Sequence, residues 1–326
     1  MKRLLLGALL ALFATQMMAP DPAMAQDKVT LRLNWIAYGF HTPFYLGVQK
    51  GIYKKHGIDL TIGEGKGSAS TVQVVASGGD TFGLSDSSSI INGNVRGAPV
   101  RAVMAITNQS PYAIAVRKDS GVTKFQDLAG KTIAGATGEA GLVIFPALLA
   151  AQHMAPDSIN FLRVDPNAKM VAILQNKVPA ILSGLDNQSL LIPQKGVPII
   201  NFSYASLGVN TVGLCIHASE TTIANNPDLV RRFVAATREA FEAAKADPEA
   251  SIAAGKTVSP DLDHDLWMAQ LMVGLSLMPS PRDPQGKIGV MYEKDWDDTV
   301  ALMKQYQDLK TGKTGSGFFT NAFLPK

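Results

Sequence analysis

Strand-like and helix-like segments alternate along this chain, with glycine-rich joints between them, and that alternation narrows the fold before any single residue is weighed. "VTLRLNW" reads as a strand. A helix follows that opens at Thr42-Pro43, with Thr42 as candidate N-cap and Pro43 as the first helical residue. "GIDLTIGEG" is the next strand, "SASTVQVVASGG" a helix and "TFGLS" a short strand. "DSSSIINGNVRG" runs from loop into helix, and "PVRAVMAIT" is a further strand. This βαβ rhythm belongs to an open, mostly parallel sheet and to the α/β class.

The rhythm then repeats. "KTIAGATG" is strand and glycine loop, "EAGLVIFPALLAAQHM" helix, "INFLRVD" strand, "PNAKMVAILQNK" helix, "VPAILSGLD" strand and "GVPIINF" a last strand. After "VNTVGLCIH" only helices remain, over 226–246, 261–278 and 293–309. In the first of these, Val230, Phe233, Val234, Thr237, Phe241 and Ala244 recur at helical spacing. Two extended runs, 111–118 and 211–217, join one unit to the other. They divide the chain into a discontinuous first lobe, 26–112 with 216–326, and an inserted second lobe, 113–215. The C-terminal helices are expected on the first lobe. Paired α/β lobes bind ligands in the crevice at the carboxyl ends of their strands.

Residues 1–25 stand apart. Lys2 and Arg3, the apolar run Leu4–Phe13 and the small-residue end Ala23-Met24-Ala25 form the pattern of a cleavable secretory signal, with Gln26 as the new N-terminus. The apolar run is too short to serve as a lasting anchor. The expected product is an exported, periplasmic chain of about 300 residues, enough for two lobes. A formal charge of +3 without any Lys/Arg block argues against nucleic acid as partner. Cys215 is the one cysteine, so no internal disulfide can form; in "TVGLCIH" it reads as a small buried hydrophobe.

Candidate binding residues come from the strand ends. The first unit supplies Asn34, Trp35, Tyr38 and His41, then Ser85, Asp86 and Ser87, then Thr107 and Asn108. The second supplies Thr137, Gly138, Glu139 and Gly141, then Asp186 and Asn187. Indole and phenol rings offer flat apolar faces for stacking, and carboxyl, amide and hydroxyl groups can read amino and ring-nitrogen atoms. Each has a plainer role open to it. Trp35 and Tyr38 can simply cover neighbouring elements, and His41 can be a solvated loop residue. Asp86 suits an N-cap, and Glu139 or Asp186 can serve a helix dipole.

Taken together, "LNWIAYGFHTPFYLGVQKGIYKKHGIDLTI", "ASGGDTFGLSDSSSI" and "FQDLAGKTIAGATGEAG" make the chain resemble type II periplasmic solute-binding proteins of ABC importers. The narrower resemblance is to the group that binds thiamine pyrimidine precursors, with taurine, alkanesulfonate and nitrate receptors as cousins. It covers essentially all of the chain after residue 25. Val48 stands where those relatives usually carry alanine. The resemblance implies two lobes closing on one small molecule, and a membrane permease and ATPase as partners of a monomeric receptor. Some relatives are enzymes that build the pyrimidine from a histidine with the help of a cysteine cluster, a motif this chain lacks.

The reading is capture of a small aromatic or heterocyclic, pyrimidine-like solute, without cofactor or metal. A small organic anion is the alternative, which would want an arginine or bare helix N-termini at the cleft. Asp86 and Glu139 have the wrong sign for it. A pyrimidine-forming or hydrolytic enzyme is the more distant alternative. The histidines are scattered without metal-ligand spacing, "DLDHD" at 261–265 fits a helix start, and neither a GxSxG elbow nor a P-loop is present.

Overall fold

The structure is a computed structural model that describes residues 26–326, and the expected export signal at 1–25 lies outside the described residues. In chain order the elements begin β1 (Asp27–Arg32), α1 (Thr42–Gln49), α2 (Ile52–Lys55), β2 (Ile58–Gly63), α3 (Ser68–Ala76), β3 (Phe82–Asp86), α4 (Ser87–Val95) and β4 (Val100–Ala105). Next come β5 (Tyr112–Arg117), β6 (Thr132–Ala136), α5 (Ala140–Ala151), β7 (Asn160–Val164), α6 (Pro166–Leu174), β8 (Ala180–Gly184), α7 (Gln188–Gln194) and β9 (Ile199–Ser203). After β10 (Leu214–Ser219) come α8 (Glu220–Asn225), α9 (Pro227–Ala246), α10 (Pro248–Gly255), α11 (His264–Ser276) and α12 (Glu293–Gln307).

Two five-stranded sheets result, ordered β2-β1-β3-β10-β4 and β7-β6-β8-β5-β9. Helices cover both faces, which is why β3, β8 and β10 are buried at every position. In each sheet four strands run the same way and one is reversed. β1 runs parallel to β2 and β3, but β10 is antiparallel to β3 and β4. In the second sheet β6 runs parallel to β7 and β8, while β5 opposes β8 and β9. The cause is topological: β5 is the first strand laid down after the chain leaves the first sheet, and β10 the first after it returns. The runs read as crossings thus contain strands of the sheet being entered. The chain changes sheets upstream of them, over 106–111 and 204–213.

The C-terminal helices divide. α9 buries the expected stripe, with Phe233 stacked on Phe82 at 4.0 Å between ring centroids and Phe241 edge-on to Phe44 at 5.0 Å. Truncating Phe233 to alanine would cost about 3–5 kcal/mol. α10 and α11 also pack on the first lobe. α12 does not stay there. Its Trp296, Val300 and Met303 share a core with residues of α4 in the first lobe and α5 in the second.

Smaller corrections concern helix starts. Thr42 is already helical, and its Oγ1 donates to Gly39 O rather than capping. Asp263 caps α11 through Leu266 N, which accounts for part of the acidic "DLDHD" run. Cys215 is buried in β10 as expected, and burial pushes its thiol well above the usual range.

Candidate functional site

The lobes face one another across a cleft lined by both. The loop after β1 contributes Asn34, Trp35 and Tyr38, and the start of α3 contributes Gly67 and Ser68. Opposite them stand Tyr112 at the head of β5 and Glu139 just before α5. The turn after β8 adds Asp186, Asn187 and Gln188. Strand carboxyl ends therefore supply most of the wall, in keeping with the general rule for α/β clefts.

Three cross-lobe contacts define the closed arrangement. Tyr38 Oη donates to Asp186 Oδ2 at 2.7 Å. Ala69 N donates to Gly138 O at 3.0 Å, and Lys169 Nζ lies 4.8 Å from the centroid of the Trp35 ring. Gly67 and Gly138 make the backbone approach feasible. A Cβ on Gly67 would stand 2.4 Å from Gly138 O, and Gly67 has φ of 141°.

The first-lobe candidates separate into wall and support. Asn34, Trp35 and Tyr38 line the cavity; His41 does not. It is fully buried rather than solvated, with Nε2 bonded to Asn34 Oδ1 at 2.9 Å and its ring edge-on to Tyr38 at 4.3 Å. Burial pushes its pKa down to about 3, so a neutral imidazole orients Asn34 from behind.

Ser85, Asp86 and Ser87 lie beneath the wall. Ser85 Oγ donates to Ser68 O and pairs with His217 Nε2 at 2.9 Å, while Ser87 Oγ donates to Val212 O. Asp86 Oδ1 accepts from Ser88 N and so caps α4, and the Tyr112 phenol stands close enough to the same carboxyl to favour its ionised form. Burial pushes this carboxyl up to about 7. Burial, then the charges of Asp86 and Glu139, push the Tyr112 phenol well above its usual value.

The second-lobe candidates Glu139 and Asp186 line the cavity, as does Asn187. Glu139 is more than a dipole partner: Oε1 accepts from Lys169 Nζ at 2.7 Å and Oε2 from Ala136 N at 2.8 Å. Burial pushes Asp186 up to about 6, opposed by the Tyr38 hydrogen bond. Gly138 takes part through its carbonyl only, Gly141 O accepts from Tyr204 Oη, and Thr137 is exposed. Asn108 lies elsewhere, its Nδ2 held by Met278 O and Val290 O, and Thr107 Oγ1 accepts from Leu214 N. The chain turns toward the second sheet right after β4, so this strand end never reaches the cleft.

Sequence reasoning overlooked Ser68, Tyr112, Gln188 and Lys169. Lys169 is wholly buried on α6, where its Nζ also donates to Leu182 O at 2.9 Å. A lone lysine on this short helix carried no sign of this. Burial lowers its pKa and the Glu139 carboxylate opposes that shift. No arginine or lysine is among the cavity-lining residues, and the nearby Lys169 ammonium is already committed to Glu139. The cavity can thus stack a ring and accept hydrogen bonds. It holds no arginine clamp for an anion, although the N-termini of α3, α5 and α7, none capped by a side chain, open onto it.

A family model described as NMT1/THI5 like matches residues 39–251. The 4-amino-5-hydroxymethyl-2-methylpyrimidine phosphate synthase THI11 of Saccharomyces cerevisiae is 27% identical over 260 residues, 76% of this chain and 76% of that protein. The riboflavin-binding protein RibY of Chloroflexus aurantiacus is 25% identical over 319 residues, 94% of this chain and 89% of that protein. Among solved structures, the alkanesulfonate-binding protein SsuA from Xanthomonas axonopodis superposes with a TM-score of 0.71 at 16% identity, covering 93% of this chain and 99% of that one. The fold is that of the periplasmic binding proteins.

Proposed function

This chain belongs to the NMT1/THI5-like family, and we propose that it is an extracytoplasmic receptor that captures a flat, nitrogen-bearing heteroaromatic solute between its lobes for an ABC importer. The carrying observation is the composition of the cleft wall. Trp35, Tyr38 and Tyr112 supply rings, Asp186 and Glu139 supply carboxyls, and no lining residue is cationic. Aromatic faces hold a planar ring, and carboxyl oxygens accept from its amino and N–H edges. Asp86, beneath that wall and beside the Tyr112 phenol, adds a third carboxyl close to the site.

The relatives support this class of ligand. Some are named for making an aminopyrimidine phosphate and one for binding riboflavin, both nitrogen heteroaromatics. A sulfonate, the ligand class in the name of the SsuA neighbour, would meet carboxyls and no arginine clamp.

The synthase names of several relatives favour an enzyme as the second reading. Here Lys169 is held by two acceptors, His41 by Asn34, and Cys215 is shut inside β10, so none of these groups faces the cavity with a free reactive atom. The receptor reading also brings a periplasmic site of action and permease and ATPase partners. Calorimetric titration with an aminopyrimidine, alongside a turnover assay on the same sample, tests it. Tight, stoichiometric binding without turnover is the expected result; conversion of the pyrimidine, or binding of sulfonates in preference to it, would overturn it.

A further inference from the structure

A second cavity adjoins the first, and Trp35, Tyr38, Asn187 and Gln188 line both. Its remaining wall comes from the start of α6, from α7 and from α11. Met170, Leu191, Leu266 and Trp267 make it largely apolar, while Asn167 and Gln270 add amides. No charged side chain lines it, whereas the inner cavity holds Glu139 and Asp186. Charge is therefore segregated: carboxyls at the inner end, uncharged surface at the outer end, and the Trp35 ring at the boundary.

We propose that the outer chamber is a second subsite, which receives an uncharged, mainly apolar arm carried by the same heteroaromatic ring that the inner cavity binds. The inference rests on the receptor reading and deepens it. Because Trp35 and Tyr38 line both cavities, a ring held against them within reach of the inner carboxyls would send a substituent on its far edge into the outer chamber. The walls suit such an arm. The indoles of Trp35 and Trp267 and the side chains of Met170 and Leu191 bury methylenes, and methionine adapts to irregular shapes. Gln270 is fixed by donation from Gly39 N to its Oε1 at 2.9 Å, and its Nε2 reaches Asn187 Oδ1 at 3.5 Å, so α11 of the first lobe and the β8–α7 turn of the second close over the chamber together. A charged arm would leave its charge unpaired there.

The test compares two probes on the purified full chain. One is an aminopyrimidine with a hydroxymethyl group, and the other is the same ring carrying a hexanoyl amide on that carbon. Each buried methylene is worth about fourfold in affinity, so the armed probe should bind at least about tenfold more tightly. Met170→Trp and Leu191→Trp, at half-buried positions, fill the chamber and should erase that gain while leaving the bare ring's affinity unchanged. Thermal melts check that each variant folds, and the wild-type comparison decides the matter if neither does. Equal affinity of the two probes in the wild type overturns the subsite alone. A gain that survives both filled variants overturns it as well, and failure of both probes to bind overturns the receptor reading with it.

Discussion

Tyr38 and Asp186 lie 148 positions apart in sequence and on different lobes, and they meet through one hydrogen bond of 2.7 Å inside the cleft. The phenol donates and the carboxylate accepts. Burial and the carboxylate charge both push the Tyr38 pKa well above its usual value, so it holds its proton across the working range. The pair bridges the lobes, so any opening of the cleft would have to break it.

Tyr38→Phe keeps the ring and removes the donor. It leaves Asp186 Oδ2 buried without its partner, at a cost of about 1–3 kcal/mol confined to the closed state. Calorimetry should therefore show affinity falling by roughly fivefold to a hundredfold. The melting temperature of the ligand-free protein should move little if it rests open. Unchanged affinity would mean that the contact does not contribute to closure.

Trp35 and Asp86 separate stacking from hydrogen bonding. Trp35→Ala should weaken binding by about tenfold or more, and Trp35→Phe should recover part of the loss, since an aromatic pair adds roughly 0.5–1.5 kcal/mol beyond burial. Asp86→Asn retains the cap that Oδ1 makes, because asparagine caps as well as aspartate. A fall in affinity of about 1–3 kcal/mol is expected if Oδ2 accepts from the ligand. A Trp35→Ala protein that binds like the parent would sink the stacking arrangement.

Burial sets two carboxyls against two imidazoles in the pH dependence of stability. It pushes Asp86 up to about 7 and Asp186 up to about 6, from 3.8. The native state then holds protons that the unfolded chain has released, and stability falls as pH rises through that window. His41 and His217 are pushed down to about 3 from 6.5, where the unfolded chain holds the extra protons and stability rises with pH. Removing one carboxyl unmasks its share. The stability of Asp86→Asn relative to the parent should climb from about pH 4 to about pH 7.5, read from denaturant melts. A difference that is flat with pH would mean that Asp86 is ionised throughout.

Much of this was legible in the residues, for reasons that also explain the gaps. The strand–helix rhythm, the α9 stripe and the wall residues Asn34, Trp35, Tyr38, Glu139 and Asp186 follow from periodicity and from the placement of strand ends. Strand direction does not. A buried apolar run looks alike either way, so antiparallel β5 and β10 could not be told from links. Tyr112 sits at the start of a strand, the end that the parallel-sheet rule ignores, and it reaches the cleft because β5 runs backwards. Lys169 was hidden because burial of a lone lysine depends on Glu139, 30 positions away.

The Lys169–Glu139 pair predicts a specific pattern of coupling. Lys169→Met leaves Glu139 as a buried, partly uncompensated charge and should destabilise by about 3–5 kcal/mol. Lys169→Met with Glu139→Gln removes both charges and should recover most of that loss. A double variant as unstable as the sum of the two single ones would show that the residues act independently.

Closure itself can be tested at Gly67. A methyl group there would meet Gly138 O at 2.4 Å and the Glu139 amide nitrogen at 2.9 Å, both backbone atoms of the opposite lobe that cannot swing aside. Gly67→Ala should therefore keep the lobes apart without disturbing either core, apart from the strain of alanine at φ 141°. Gly138→Ala is the matched control. It too has positive φ, 83°, but its new methyl would have Ser70 N at 3.6 Å as its nearest neighbour, an ordinary contact. Both variants should melt below the parent because alanine is strained at positive φ, by about 1–3 kcal/mol. The larger loss is expected at Gly67, whose φ of 141° and ψ of 146° lie in a region essentially confined to glycine. Only Gly67→Ala should lose ligand affinity by tenfold or more and keep the larger radius of gyration in small-angle scattering at saturating ligand. Equal affinity losses in the two variants would assign the effect to backbone strain, and the glycine-to-glycine contact would then play no part in closing the cleft.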